Sequence, residues 1–115
     1  MTGRLTTRKH DLERDLVDDC RDAAEAMGAF LAEVGQRRAK GSGTTKGFPD
    51  LVLLCAGHTV LIELKRTKTD EHPAGTLNLG QCAFIARAAE QGVAVHVVDD
   101  LRGFTDIVNA CRRHR

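Results

Sequence analysis

One stretch constrains the fold more than any other: GFPDLVLLCAGHTVLIELKR, Gly47 to Arg66. Leu51 to Cys55 and Thr59 to Lys65 are apolar, β-like runs separated by Ala56, Gly57 and His58, the length of a tight hairpin. Such a pair predicts the centre of a sheet. Yet Glu63 and Lys65 interrupt the second run. Side chains alternate along a strand, so Leu61, Glu63 and Lys65 share one face while Val60, Ile62 and Leu64 share the other. Asp50 opens the preceding strand behind Pro49, which cannot donate to a ladder and so marks an edge or a strand beginning. Hairpin pairing brings the end of the second strand to the beginning of the first. Asp50 is therefore expected beside Glu63 and Lys65, the three groups converging at a sheet edge.

Around this pair the periodicity changes. Asp11 to Met27 has the spacing of an amphipathic helix, with Leu12, Leu16, Val17, Cys20, Ala23, Ala24 and Met27 on one arc and Gly28 as its stop. Glu13 falls inside that arc, flanked by Val17 and Cys20, where an unpaired carboxylate would be costly to bury. Ala29 to Val34 alternates and reads as a short strand. Asn78 can cap a helix from Leu79 to Gln91 that Gly92 ends. Val93 to Val98 reads as a strand, and Phe104 to Arg112 as a helix with Phe104, Ile107, Val108 and Cys111 on one side. The order is helix, three strands, helix, strand, helix. A helix between two strands favours a parallel crossover, so the expected fold is α/β, a central mixed β-sheet flanked by α-helices. With 115 residues the chain is expected to form one domain, 1–115, and any site must be built from that domain's own elements.

Charge gives no global answer about partners, because the formal net charge is only +1. Cations do cluster locally: Arg37, Arg38, Lys40 and Lys46 in a Gly/Ser/Thr-rich segment, Lys65, Arg66 and Lys68 in another, and Arg112, Arg113 and Arg115 at the end. The four cysteines show no CxxC or zinc spacing and read as small core residues of a reducing compartment. The N-terminal segment MTGRLTTRKHD has no apolar stretch and no part of the chain approaches a membrane span, so no membrane partner and a cytoplasmic location are expected. The lack of Trp and Tyr argues against a stacking platform for single strands.

Two carboxylates and a lysine in one place have a specific use. Asp50 and Glu63 supply oxygen ligands suited to a hard divalent cation, Mg²⁺ with Mn²⁺ as a substitute. Lys65 is placed to orient or deprotonate an attacking water and to offset charge developing on a phosphoryl group. Pro49-Asp50, twelve residues, then Glu63-Leu64-Lys65 resembles the PD-(D/E)XK signature of restriction-endonuclease-like nucleases. Its surroundings, with Leu77-Asn78-Leu79-Gly80-Gln81 opening a helix and a Gly-Val-x-Val strand after it, resemble the VRR-NUC branch in order and spacing. The similarity spans about Glu13 to Asp99. Phe48 stands where smaller aliphatics are common, and Gly80 is unusual in a first helical turn.

The resemblance implies a restriction-endonuclease-like core and a metal-dependent endonuclease acting on DNA. It implies a site completed by Glu13, as a ligand directly or through water, by the Leu64 carbonyl as a third ligand, and by Gln81. It also implies a homodimer, whose interface would draw on the first strand and on the apolar face of the terminal helix. That face is equally suited to covering the sheet. The segment from Gly35 to Lys46, with Arg66 and Lys68, is then expected to contact phosphates. A chain without a helix-turn-helix or zinc module is expected to select DNA by shape, as branched or Holliday-junction DNA, rather than by base sequence. Two other readings stay open: a catalytically silent DNA-binding module with the same fold, and a nuclease acting on RNA. Glu63 and Lys65 alone would read as a solvated ion pair, Gln81 alone as a helix-surface residue, and His58 and His72 are assigned no role.

Overall fold

A computed structural model describes residues 9–34, 45–65 and 77–114, with side chains from Arg14 onward. The elements follow the expected order: α1 (Lys9–Ala26), β1 (Phe30–Glu33), β2 (Leu51–Cys55), β3 (His58–Leu64), α2 (Leu79–Glu90), β4 (Val95–Val98) and α3 (Leu101–Arg113). The hairpin turn is shorter than the sequence spacing implied. Ala56 and Gly57 both have positive φ, 53° and 84°, the signature of a two-residue type I′ turn whose twist matches that of the strands. His58 is thereby released from the turn to pair with Cys55. The last helix begins at Leu101, ahead of its first apolar contact, because the Asp100 carboxylate accepts the Gly103 N–H at 2.7 Å and caps it.

The sheet order is β1-β2-β3-β4, with β1 and β3 antiparallel to β2 and β4 parallel to β3. The β3-α2-β4 crossover makes it a mixed sheet with the hairpin at its centre. In register, Leu51 faces Ile62, Leu53 faces Val60 and Leu64 faces Val98. That alternation turns Leu31, Leu51, Leu53, Cys55, Ile62, Leu64 and Val98 toward α1 and α3, which contribute Val17, Cys20, Ala24, Phe104, Val108 and Cys111 to the same core. Leu51, Leu53 and Ile62 are wholly buried, each contributing roughly 1.5–3 kcal/mol relative to exposure. The apolar face of α3 is thus spent on covering the sheet: Phe104, Val108 and Cys111 are core residues and do not offer a subunit interface.

The opposite face is more thinly covered. It carries α2, none of whose described residues is buried, and it leaves Phe30, Leu54 and Val97 exposed at 61%, 43% and 47%. All four cysteines are free thiols, three of them buried, and burial pushes the Cys20 thiol up to about 12, as suits an inert core residue. Among the described residues no helix is long and apolar enough to cross a membrane.

Candidate active site

Glu63 is the only buried charged side chain among the described residues, with 1% of its surface exposed. It lies on the thinly covered face of β3, at the end of a central strand. The sequence placed the convergence at a sheet edge; the structure moves it to the C-terminal end of β3, inside the sheet, because β4 adds beyond β3 and closes that side. Burying a carboxylate without partners costs several kcal/mol, so what touches Glu63 decides whether the arrangement survives.

Gln81 and Lys65 both reach its Oε2. The Gln81 amide donates from Nε2 at 2.8 Å, and the Lys65 ammonium lies at 3.8 Å with 17% of its side chain exposed. The lysine distance is that of a Coulombic pair rather than a short hydrogen bond. Alternation along the strand accounts for Glu63 and Lys65 pointing the same way, and the Lys65 N–H is fixed by the Val98 carbonyl at 2.9 Å.

Gln81 is held from its other side by the start of α2. The Asn78 side chain accepts the Gln81 backbone N–H at 2.8 Å, and the Gln81 Oε1 accepts the Asn78 backbone N–H at 2.9 Å. This reciprocal capping box satisfies two donors that a helix start leaves unpaired. It also settles the orientation of the amide. A backbone N–H can only donate, so the Gln81 atom facing Asn78 is oxygen and the NH₂ group is left to face Glu63. Asn78 was foreseen as a cap; that it also aims Gln81 was not, although the N-x-x-Q spacing carries that signal.

Asp50 sits one residue before β2. Continuing the register from the Leu51–Ile62 pair by one step sets it beside Glu63. Its carbonyl accepts the Val34 N–H at 2.8 Å, which fixes the backbone, and its half-exposed side chain has no hydrogen bond or ion pair among the described residues. The approach to Asp50 is docked on α2. Gly47 has φ +84°, and a Cβ there would stand 2.1 Å from the Gly80 carbonyl oxygen. Phe48 meets Phe84 edge-on, with centroids 5.2 Å apart, and Pro49 is fully buried. Gly80, unusual by sequence, is explained by this contact and by Lys46, whose Cγ and Cε would lie 3.1 and 3.3 Å from an added Cβ. Two glycines 33 positions apart in sequence thus bring the Asp50 loop against the Gln81 turn.

Glu13 lies in α1, but its side chain is outside the described residues. The next residue, Arg14, donates to Glu33 at 2.6 Å, and Arg21 donates to the other Glu33 oxygen at 2.7 Å. Glu33 pairs with Leu51, next to Asp50. The backbone of Glu13 is therefore at the Asp50 end of the sheet. The Arg14 hydrogen bond is also the main reason the Glu33 carboxyl is held below its ordinary pKa. Arg37, Arg38, Lys40, Arg66 and Lys68 lie outside the described residues, while Lys46 is exposed beside α2.

Among the described residues no group of three or more His, Cys, Asp or Glu side chains comes together as a metal site. Asp50 and Glu63 provide a donor set of two carboxylates, all oxygen. That set fits Mg²⁺, which usually takes one or two carboxylates and keeps several waters.

No family model matches this sequence, and no curated protein does. Among solved structures, the chain is similar to one described as "VRR_NUC domain", with a TM-score of 0.60 and 19% identity, over 84% of this chain and 94% of that one. The fold expected from the resemblance, a mixed sheet with three flanking helices, is the fold shared with that domain.

Proposed function

We propose that this chain is a metal-dependent endonuclease that hydrolyses phosphodiester bonds in DNA, selecting branched structures such as Holliday junctions. The observation that carries the reading is Glu63: a carboxylate 1% exposed at the end of a sheet strand, aimed by Gln81 and Lys65, next to Asp50. A purely structural role would be served as well by an apolar residue there, at no desolvation cost. The shared VRR_NUC fold supports the same reading.

Asp50 and Glu63 would hold Mg²⁺ or Mn²⁺, with the Leu64 carbonyl and Glu13 completing the set. When bound, such a cation supplies an activated water and polarises a phosphoryl oxygen. The chain's own residues do the rest. Gln81 keeps the Glu63 oxygens in place. Lys65 brings a positive charge beside the reacting group, where it orients the attacking water and offsets charge that develops in the transition state. Lys46, with Arg37, Arg38, Lys40, Arg66 and Lys68, would hold the phosphates. The exposed Phe30, on edge strand β1, and its register partner Leu54 supply an apolar patch for a homodimer. Paired incision of a branch needs two such sites. Light scattering should then give about twice the 12.5 kDa chain mass, and a strictly monomeric mass with DNA bound would remove the paired mechanism. Free thiols at all four cysteines suit the reducing cytoplasm.

A Mg²⁺ titration with labelled duplex, flap and four-way DNA tests the assignment. Asp50→Ala and Lys65→Ala should each abolish cleavage while keeping the native circular dichroism, and cleavage retained by either variant overturns it. No cleavage by the wild type with Mg²⁺ or Mn²⁺, but retained binding, would identify a silent DNA-binding module. Cleavage confined to RNA would redirect the substrate.

A further inference from the structure

A groove of about 590 Å³ runs along α2, starting at the residue next to Gln81 and lined by Lys46, Gly80, Ala83, Phe84, Arg87 and Gln91 among others. Its volume falls within the roughly 300–1,000 Å³ typical of small-molecule sites. Ala83, Phe84 and Ala88 make much of its lining apolar, and the charged residues among those lining it are the two cations Lys46 and Arg87. Among the described residues no acidic side chain lines it. Lys46 and Arg87 are both exposed, and among the described residues neither side chain makes an ion pair or hydrogen bond. The Lys46 stem lies across Gly80, where an added Cβ would stand 3.1 and 3.3 Å from its Cγ and Cε. Arg87 is seven residues further along the helix, about 10 Å at 1.5 Å per residue. Along α2 the places where the two cationic side chains pass the helix are thus about two turns apart, with Ala83 and Phe84 between them.

We propose that this groove binds one unpaired nucleotide of the substrate strand next to the scissile phosphate, its base against Phe84 and its flanking phosphates on Lys46 and Arg87. The inference rests on the nuclease reading and deepens it by naming what the protein reads in a branched substrate. Fully paired DNA keeps its bases stacked within the helix, whereas a branch point offers an unpaired one at low cost. An apolar stretch with cationic side chains passing it about two helical turns apart suits a base with its two phosphates better than it suits a lone anion, which would need the cations together. A single phenylalanine accommodates one base, which agrees with the lack of an extended aromatic platform.

The test measures anisotropy of labelled flap DNA in chelator, carrying 2-aminopurine at the unpaired position, across a salt series. The proteins are wild type, Lys46→Ala, Arg87→Ala, their double variant, Phe84→Leu and Arg113→Ala. Arg113 is the control: it ends α3 beside His114, whose carbonyl contacts His58 at 2.7 Å, at the opposite end of β3 from Glu63. Each cation removed should lower the slope of log K against log salt by about 0.7–0.9, with the double variant lower by about 1.4–1.8, and Arg113→Ala should match wild type. Binding to wild type should quench 2-aminopurine, and Phe84→Leu should lose the quench and about tenfold in affinity. The salt slopes keep the test decisive even where Phe84→Leu unfolds, since both cations are exposed and have no hydrogen bond or ion pair among the described residues. If wild type binds and cleaves branched DNA while the double variant keeps its affinity and slope, the groove assignment falls and the nuclease reading stands. If wild type neither binds nor cleaves any DNA, both fall.

Discussion

Replacing Gln81 by glutamate changes one NH₂ group to oxygen and little else, so it isolates the contact on which the site depends. The capping half of the interaction survives, because the oxygen that accepts the Asn78 N–H is retained and glutamate is itself a standard partner in a capping box. The other half inverts. A donor 2.8 Å from Glu63 Oε2 becomes a second acceptor on a group that is 1% exposed. Two charged oxygens at that distance would repel by about 6 kcal/mol at an effective dielectric constant of 20. Taking up a shared proton costs less. From an ordinary glutamate pKa of about 4.3, protonation at pH 7 costs about 3.7 kcal/mol. Protonation therefore wins, and it sets the ceiling on the destabilisation. Lys65, 3.8 Å from the same oxygen, reduces the cost without removing it.

The sign follows from linkage. The introduced carboxyl has a folded-state pKa raised above its unfolded value, so the native state binds more protons and stability falls as pH rises. Gln81→Glu should lose up to about 3.7 kcal/mol relative to wild type at pH 7, recover at about 1.4 kcal/mol per pH unit on acidification, and approach wild type near pH 4.5. At that pH the shared proton takes the place of the amide hydrogen. Urea denaturation of both proteins at pH 5, 6 and 7, in chelator so that no cation neutralises the pair, measures the difference. A variant as stable as wild type at pH 7, or equally destabilised at pH 5 and 7, would show that this amide does not face the Glu63 carboxylate.

Two further outcomes follow from contacts elsewhere. Gly47→Ala should destabilise by at least the roughly 1–2 kcal/mol of a left-handed alanine, and by more because the added carbon meets the Gly80 carbonyl at 2.1 Å; a thermal melt that matches wild type would contradict the close approach. Glu33 has its carboxyl pKa held down first by the Arg14 hydrogen bond, so its stabilisation is present above the unfolded carboxyl pKa and is lost as pH falls through the folded one. Glu33→Gln should therefore lose stability near neutrality and flatten the acid limb of the stability curve, and an unchanged acid limb by denaturant titration would count against the pairing.

Much of this arrangement is written locally and some of it is not. The period-two alternation of β3 is enough to put Glu63 and Lys65 on one face, and the antiparallel hairpin carries Asp50 to them, since both signals act over a few residues. The same holds for Asn78 as a cap. What the sequence hides is contact between distant backbones: nothing near Gly47 announces that its missing side chain is matched to the Gly80 carbonyl. Nor can periodicity say which of two apolar surfaces a helix covers. The stripe of Phe104, Val108 and Cys111 was compatible with a subunit interface or with the core, and only packing against β2 and β4 decides for the core.

Glu63 is almost fully buried on the face of the sheet that leaves Phe30, Leu54 and Val97 open. Sheet packing therefore does not bury it. Among the described elements, the first turn of α2 and the Gly47 to Asp50 approach do so, held together by the Gly47–Gly80 contact and the Phe48–Phe84 edge. None of these belongs to the aliphatic core shared by α1, α3 and the sheet. The fold accordingly separates two tasks. The α1/α3 face supplies the stability, and the α2 face supplies a docked, polar corner around one buried carboxylate. Under the proposed nuclease function, side-chain changes in that corner that keep the Gly47–Gly80 contact and a donor on Glu63 should alter cleavage well before they unfold the protein.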